Sequence, residues 1–297
     1  MFIGEIAAII GSCLWSTGSM FFTASVKRIG VLSLNLFRTF VAAIFLLAAT
    51  LVIFGTPFPE PPTTSAIFWL ALSGVVGLGV GDLFYFSSLK ASGARITMLF
   101  LSLAPPFSAI IERIVVGETM SPLGFLGMFV TIFGVSWVVS ERKFKENGEA
   151  SERVTTPGMF YGTMMAFCQA GGLVFSKMGL ETVNALTGTL IRMITSVVVL
   201  FAFVVAFRKW DVIKRVFANK EGAAFAVGGA FFGPFLGVTM SLLAVKYTKA
   251  SVAMTLLSTT PITILPFAIL INKERVSPRA ALGAFVAVLG VTLLFLR

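Results

Sequence analysis

The sequence predicts an all-α integral membrane protein in which ten transmembrane helices form two inverted five-helix repeats. Three observations predict this fold class: the composition, a series of apolar stretches of spanning length, and an internal repeat. Hydrophobic residues make up 57% of the 297 residues and charged residues 12%, against roughly 25% charged residues in an average soluble domain. A water-soluble fold cannot bury this much apolar surface, so we expect lipid to be the solvent.

The composition also excludes several kinds of partner and site. The net charge is +10, but the basic residues lie almost entirely between the apolar stretches, where orientation rules account for them. We therefore expect no nucleic-acid partner. The chain has no His, and its two cysteines, Cys13 and Cys168, lie inside apolar stretches. We predict no metal site, no cofactor and no disulfide framework.

Ten stretches are candidates for transmembrane helices, which need about 20 apolar residues each. Six are free of charge, two contain a single Arg, one contains Glu112 and Arg113 near its end, and the last is short. In chain order, spans 1 to 10 are 6–26, 31–54, 61–81, 95–116, 119–140, 154–176, 184–207, 222–245, 250–272 and 280–296. The short connections between them favour an antiparallel helical bundle.

An internal repeat divides the chain into two halves. A shift of 156 residues aligns 94–136 with 250–292 without a gap and places prolines, a Glu and Ser-Pro helix starts in register. The matching pairs include Ser102/Ser258, Pro105/Pro261, Glu118/Glu274 and Gly134/Gly290. We predict a first repeat over 1–140, a charged linker over 141–156 and a second repeat over 157–297.

The odd number of spans in each half determines the topology. After five spans the second half enters the membrane from the opposite side, and inverted repeats of this kind place a binding site between the halves near the midplane. The connections after the odd-numbered spans carry 16 Lys and Arg, and the termini with the other connections carry 5. The positive-inside rule therefore predicts a multi-pass protein of the plasma (inner) membrane with both termini outside.

The segment 208–221 has two interpretations. Trp210, Ile213, Val216 and Phe217 recur at helical spacing with basic residues between them. The segment is then either a helix along the cytoplasmic lipid surface or an ordinary solvated connection.

Each half ends on a recurring pattern of Pro, Glu, Ser-Pro, Gly and Gly-Val. The two copies are Pro105, Gly117-Glu118, Ser121-Pro122, Gly127, Gly134-Val135 and Pro261, Lys273-Glu274, Ser277-Pro278, Gly283, Gly290-Val291. The second copy departs at Lys273, where the first has Gly117. With its ten spans and its duplication, the chain resembles the EamA-type members of the drug/metabolite transporter superfamily over essentially its whole length.

The resemblance implies a fold and a general function. Such proteins move small organic solutes such as amino acids, metabolites or drugs, often outward, with spans 1–4 and 6–9 lining a cavity and spans 5 and 10 packed outside it. The small multidrug pumps of this superfamily carry a proton-binding Glu in their first helix. When the Gly of the first helix of those pumps is matched to Gly18, Trp15 stands at the position of their Glu. We therefore do not expect proton antiport through a Glu in the first helix.

Ionisable residues inside spans are the first candidates for a binding site, because they usually face the bundle interior. Arg38 in span 2 and Arg192 in span 7 occupy matching places, and Asp82 near the end of span 3 lies at the depth of Arg38. Arg38 and Asp82 are predicted to pair, and Glu112 is a candidate partner for Arg192. The arginines either clamp a substrate carboxylate or phosphate, or they snorkel or form structural ion pairs.

Further candidates are aromatic and polar residues within spans, which either line a solute cavity or serve helix packing. They are Trp15, Asn35, Tyr85, Ser102, Gln169 and Ser258. Pro105 and Pro261 occupy matching places in spans 4 and 9 and are candidate hinges. The glycine-rich run 74–82 resembles a phosphate-binding loop only superficially, and close helix packing is the better interpretation.

The leading function is a secondary transporter, expected to export small organic solutes such as amino acids by alternating access between the repeats. One alternative is an antiporter of sugar phosphates or nucleotide sugars, and another is an integral-membrane enzyme acting on lipid. The expected partners are a small organic solute and the lipid bilayer, with the chain as a monomer or a homodimer. The sequence shows no ATP-binding motif, so we expect a gradient or an exchange to drive transport.

Overall fold

The computed structural model describes residues 2–141, 155–263 and 278–295, and the regular elements within these ranges are all helical. Most of the predicted linker lies outside the described residues. The elements are α1 (Ile3–Ile29), α2 (Val31–Phe54), α3 (Thr64–Ser73), π1 (Gly74–Gly81), α4 (Asp82–Leu101), α5 (Ala104–Val115), α6 (Pro122–Glu141), α7 (Thr156–Gly179), α8 (Ala185–Ala206), α9 (Asp211–Ala218), α10 (Lys220–Ala230), π2 (Phe231–Gly237), α11 (Val238–Tyr247), α12 (Ala250–Leu257), α13 (Thr260–Thr263) and α14 (Pro278–Phe295).

Five of these helical runs are long and apolar enough to cross a membrane: Ile3–Ile29, Val31–Phe54, Thr64–Ser92, Ala185–Ala206 and Lys220–Tyr247. Shorter apolar helices lie in Pro122–Trp137 and Leu282–Leu294. The all-helical, multi-pass class of the prediction is supported, while the count of ten spans stays a prediction.

The helix ends follow local sequence signals. Gly30 and Gly55, with φ of 85° and 72°, end α1 and α2, a conformation that glycine adopts without steric cost. Thr155 and Asn184 cap α7 and α8, and their side-chain oxygens accept hydrogen bonds from backbone N–H groups in the first turn, as N-cap residues do. Residues in the short connections therefore determine where these helices begin and end.

The first half departs from the predicted boundaries in two places. The long apolar run of span 3 extends to Ser92, and helical backbone continues from there to Leu101. The chain still reverses within this stretch, because Ser88 Oγ and Thr97 Oγ1 lie 3.0 Å apart, whereas nine residues of straight helix would separate them by about 13 Å. Span 4 then breaks at Ser102 and Leu103, and α5 begins at Ala104 with Pro105 in its first turn. A proline at this position needs no backbone donor, since the first N–H groups of a helix have no intrahelical partner.

Two π-helical segments lie at equivalent places in the two halves. The first, π1, is the glycine-rich run Gly74–Gly81 in span 3, and π2 is Phe231–Gly237 in span 8. The shift of 156 residues that relates the repeats superimposes Gly77 on Gly233 and Gly81 on Gly237. Segments of this type are rare within α-helices and often lie at functional sites, so their recurrence marks the centre of each half.

Helices of the two halves interleave in a reciprocal pattern. α1 packs against α10, π2 and α11, and correspondingly α7 packs against α3, π1 and α4. The matching helices α2 and α8 contact each other, as do α6 and α14. Each half therefore completes the other, as expected for a pair of inverted repeats.

Glycines allow the closest of these approaches. A Cβ on Gly172 of α7 would lie 2.7 Å from the Cα of Gly77, and a Cβ on Gly74 would lie 2.5 Å from the carbonyl oxygen of Arg192. Small residues let helix backbones approach in this way inside a membrane. The glycine-rich run 74–82 therefore serves helix packing, as predicted.

Candidate functional site

Five polar side chains meet where α2, α4, α7 and α8 come together. We call them the polar cluster: Asn35, Arg38, Asp82, Gln169 and Arg192. Three lie in the first predicted repeat and two in the second. The helices α4, α7 and α8 pack along π1, and Asn35 of α2 bonds its backbone, so the cluster lies between the two halves.

Arg38 is fully compensated within the cluster. Its side chain is 1% exposed, and its Nη2 donates a hydrogen bond to Asp82 Oδ2. Its Nε and Nη2 donate to Asn35 Oδ1 at 3.1 and 3.0 Å. Its guanidinium also lies over the rings of Phe22 and Phe86, 5.0 and 5.1 Å from their centroids, a favourable cation–π geometry. The predicted pair of Arg38 and Asp82 is therefore formed, and it is buried.

Two amides attach this ion pair to the unusual backbone of π1. Asn35 Nδ2 donates to the carbonyl oxygens of Leu78 and Gly79 at 3.3 and 3.4 Å. Gln169 Nε2 donates to Asp82 Oδ1 at 2.9 Å and to the carbonyl oxygen of Gly77 at 3.5 Å. Since Gln169 belongs to α7, it links the ion pair to the second half.

Arg192 has a different environment although the repeat matches it to Arg38. Its side chain is 4% exposed, and its Nε and Nη1 have no hydrogen-bond partner among the described residues. Its Nη2 lies against the α-carbon of Gly77, where a Cβ would be 3.3 Å away. The buried hydroxyl of Ser196, one turn later on α8, is also without a partner in the described structure. Buried polar groups without a hydrogen-bond partner are uncommon in native structures, so this side of the Arg192 guanidinium is a candidate for contact with a ligand.

The polar cluster carries an unbalanced charge. Two arginines and one aspartate give it a net charge of +1, and the Asp82 carboxylate is already bonded to Arg38 and Gln169. A buried charge is costly unless it is paired. The cluster is therefore suited to hold one anionic group at Nε and Nη1 of Arg192, the two nitrogens without a partner in the described structure.

The predicted pairing of Glu112 with Arg192 was wrong. The Glu112 carboxylate accepts hydrogen bonds from the backbone N–H groups of Ala250 and Ser251 at 2.6 and 2.9 Å, and it forms an ion pair with Lys177 at 3.1 Å. The physical reason is that a carboxylate is stabilised at a helix N-terminus, and α12 begins beside Glu112. Lys177 also bonds Glu118 at 2.7 Å, so it is engaged in ion pairs.

The other predicted site residues do not join the polar cluster by hydrogen bonds. Trp15 packs against π2, where a Cβ on Gly237 would lie 3.3 Å from its ring. Tyr85 follows Asp82 by one turn, and its ring lies 5.0 Å from that of Phe86. The Ser102 and Ser258 hydroxyls donate to backbone carbonyls three residues earlier, at 2.6 and 2.7 Å.

Ser102 and Ser258 both mark helix breaks that a matched proline follows. α4 ends just before Ser102, and α12 ends just before Ser258. Pro105 lies in the first turn of α5, and Pro261 is the second residue of α13, although the side chain of Pro261 lies outside the described part of the structure. The breaks give the hinge hypothesis a structural location.

Three residues that make the environments of the two arginines differ were missed in the sequence analysis. The rings of Phe22 and Phe86 cover the guanidinium of Arg38, and the Ser196 hydroxyl adds a second unpartnered polar group beside Arg192 in the described structure. Only Ser196 left a readable signal, because it follows Arg192 by four residues and so shares its helix face. Among the described residues, no three His, Cys, Asp or Glu side chains are grouped as metal ligands.

Comparison with known proteins agrees with this architecture. A protein of Archaeoglobus fulgidus described as an uncharacterised transporter is 23% identical over 291 residues, which cover 98% of this chain and 97% of that protein. A protein of known crystal structure shares the fold with a TM-score of 0.74 at 18% identity, over 99% of this chain and 97% of the other. The sequence pattern of the EamA-like transporter family matches residues 2–140 and again residues 156–296. Since both halves match that pattern in turn, the chain belongs to the EamA-like transporter family.

Proposed function

We propose that this protein is a secondary transporter of small organic solutes that carry a carboxylate, such as amino acids or related metabolites. In this proposal Arg192 binds the carboxylate. The observation that carries it is the buried guanidinium of Arg192, which has two donor nitrogens without a partner in the described structure at the meeting of the two halves. Arg38 serves the site as a structural member of its ion pair.

A carboxylate fits these nitrogens of Arg192 in both charge and shape. Its single negative charge neutralises the net +1 of the polar cluster, and its two oxygens match the fork of a guanidinium. A phosphate group carries about −1.5 to −2 at neutral pH and would leave the cluster with excess negative charge. Sugar phosphates and nucleotide sugars are therefore the weaker candidates.

The contacts between the halves suit alternating access. At one end of the bundle Glu112 of α5 bonds the start of α12 and Lys177 of α7. At the other end Ser25 of α1 donates to the carbonyl oxygen of Gly222 at 2.8 Å, and Arg28 pairs with Glu221 at 2.7 Å. In the proposed cycle these two sets of contacts break in alternation, driven by a gradient or by exchange, and net movement is outward.

The test measures solute binding and transport by the purified protein. We would compare amino acids with their decarboxylated amines, sugar phosphates and cationic drugs, first by thermal stabilisation and then by transport in proteoliposomes. A ligand of the folded state raises the melting temperature. We expect a shift only with carboxylates. Replacing Arg192 with Gln should weaken their binding roughly 10- to 100-fold, since hydrogen bonds to charged groups contribute about 1.5–3 kcal/mol.

Two further variants make the test specific. Arg192→Lys keeps the charge but not the planar fork, and should restore only part of the affinity. Arg279→Gln removes an exposed arginine at the start of α14 and should leave binding unchanged. Stabilisation by cations that survives Arg192→Gln, or stronger stabilisation by sugar phosphates, would contradict the proposed substrate class.

A further inference from the structure

The short helix α9 forms a groove with α2 and α8 at one end of the bundle. Val212 and Val216 of α9 are buried, while Phe217 is 77% exposed beside them. The groove encloses about 400 Å³, within the range of roughly 300–1,000 Å³ that is common for small-molecule sites. It is separate from the polar cluster, none of whose residues line it.

The lining of the groove is apolar. Of its ten lining residues only Ser33 carries a polar group in its side chain, and the others are aliphatic or Phe. Phe40 and Phe201 on its flanks are 51% and 45% exposed, in a protein whose outer surface faces lipid. A charged solute would find no partner here, whereas an acyl chain would find continuous van der Waals contact.

The end of the groove is basic. The two acidic residues of this region are already paired, Asp211 with Arg215 at 2.8 Å and Glu221 with Arg28 at 2.7 Å. Arg208 and Lys209, both exposed, have no carboxylate partner in the described structure, and the Lys209 ammonium lies over the Phe203 ring, 5.5 Å from its centroid. Positive charge that no carboxylate neutralises at a membrane surface attracts anionic headgroups.

The backbone of these two residues lies next to the groove. The N–H of Val212 donates to the carbonyl oxygen of Lys209 at 3.0 Å, so Lys209 lies one turn before Val212 and Ile213, which line the groove. Arg208 directly precedes it with φ of 51°. An apolar channel that ends beside two cations with no carboxylate partner among the described residues matches a molecule with an acyl chain and a negatively charged headgroup.

We propose that this groove binds one anionic phospholipid. Its acyl chain lies between α2, α8 and α9, and its phosphate lies at Arg208 and Lys209. Val197, which lines the groove, follows Arg192 by five residues on α8, so the bound lipid contacts both helices that carry the arginines. The inference is independent of the substrate proposed above.

The experiment compares two phospholipids with identical acyl chains. The full chain is delipidated in neutral detergent and titrated with dioleoyl phosphatidylglycerol or dioleoyl phosphatidylcholine. Melting temperature and native mass spectrometry are the readouts. We expect phosphatidylglycerol to raise the melting temperature by several degrees more than phosphatidylcholine and to be retained as one molecule per chain.

A matched pair of variants tests the acyl-chain position. Val197→Trp fills the groove and should abolish the extra stabilisation by phosphatidylglycerol. Val198→Trp adds the same side chain at the neighbouring position, which is 59% exposed, and should keep it. Retention of the full effect in Val197→Trp would overturn the proposal.

A second pair of variants tests the headgroup position. Its result is informative even if Val197→Trp does not fold. The double variant Arg208→Asn/Lys209→Gln removes two charges, and Asn tolerates the positive φ of Arg208. It should reduce the preference for phosphatidylglycerol about tenfold or more. Arg113→Gln/Arg279→Gln removes two exposed charges on other helices and should leave it unchanged. Equal stabilisation of the native chain by the two lipids would overturn the proposal. So would stabilisation by glycerol phosphate, which has no acyl chain, as large as that by phosphatidylglycerol.

Discussion

At the scale of single residues, duplication has produced two arginines with opposite environments. The repeat matches Arg38 to Arg192, but the position that matches Asp82 is Val238. Arg38 therefore has a carboxylate, an amide and two aromatic rings around it, whereas two nitrogens of Arg192 have no partner in the described structure. One asymmetric substitution separates a structural ion pair from a candidate binding group.

The first prediction concerns this ion pair. Asp82→Ala leaves the buried charge of Arg38 uncompensated, which typically costs about 3–5 kcal/mol. The melting temperature should fall by roughly 10 °C. The double variant Asp82→Ala/Arg38→Met removes both charges and should recover most of the loss. Asp211→Ala breaks an exposed pair, worth about 0–1 kcal/mol, and serves as the control. A single variant as stable as the double would contradict the interpretation.

At the scale of elements, the recurring features are the π segments and the helix breaks. π1 and π2 lie at repeated positions, and both are rich in glycine, which lets a neighbouring backbone approach. The breaks before α5 and α13 are each followed by a proline in the next helix. Both features are places where a helix can change shape without losing a long run of hydrogen bonds.

Neighbouring glycines of α7 provide the second prediction. A Cβ at Gly172 would meet the Cα of Gly77 at 2.7 Å, whereas a Cβ at Gly171 would have no contact closer than 3.7 Å. Gly172→Ala should therefore lower the free energy of unfolding by about 1–3 kcal/mol through overpacking. Gly171→Ala should be neutral or slightly stabilising, because Ala favours helix. Thermal unfolding of both variants measures the difference, and equal melting temperatures would refute the close contact.

The third prediction tests the hinge hypothesis. Replacing both Pro105 and Pro261 with Ala allows the broken helices to become continuous, since Ala supplies the missing N–H and the best helix propensity. We expect the double variant to bind solute with unchanged affinity but to transport it several-fold more slowly in proteoliposomes. Each single variant should have an intermediate rate. Normal transport by the double variant would exclude the two prolines as hinges.

At the scale of the whole molecule, the two halves are interlocked. α1 contacts the second half along its length, from Glu5, which accepts a hydrogen bond from Thr248 at 3.1 Å, to Arg28 at its other end. With 27 residues, α1 is about 40 Å long at 1.5 Å per residue, enough to cross a bilayer. The contacts at its two ends therefore lie on opposite membrane faces.

The fourth prediction fixes which face is which. A single cysteine is introduced into a variant that lacks Cys13 and Cys168, either as Glu60→Cys or as Lys214→Cys. Position 60 lies in the connection between α2 and α3 and position 214 lies on α9, and both are exposed. The excess of basic residues on the α9 side predicts that side to be cytoplasmic. A membrane-impermeant thiol reagent should label the residue at 60 in intact cells and the residue at 214 only after permeabilisation. The reverse pattern would invert the predicted topology.

The sequence by itself determined the membrane class, the duplication and the family resemblance, because these depend on composition, on the period of apolar runs and on residues in register. It also predicted the pair of Arg38 and Asp82, since antiparallel neighbouring spans bring equal depths together. Only the tertiary structure decided that Glu112 binds the start of α12 and that two donor nitrogens of Arg192 have no partner among the described residues. It also showed that α9 closes a groove over α2 and α8. Those outcomes depend on which helices become neighbours, and packing between distant segments, not local sequence, determines which charges meet.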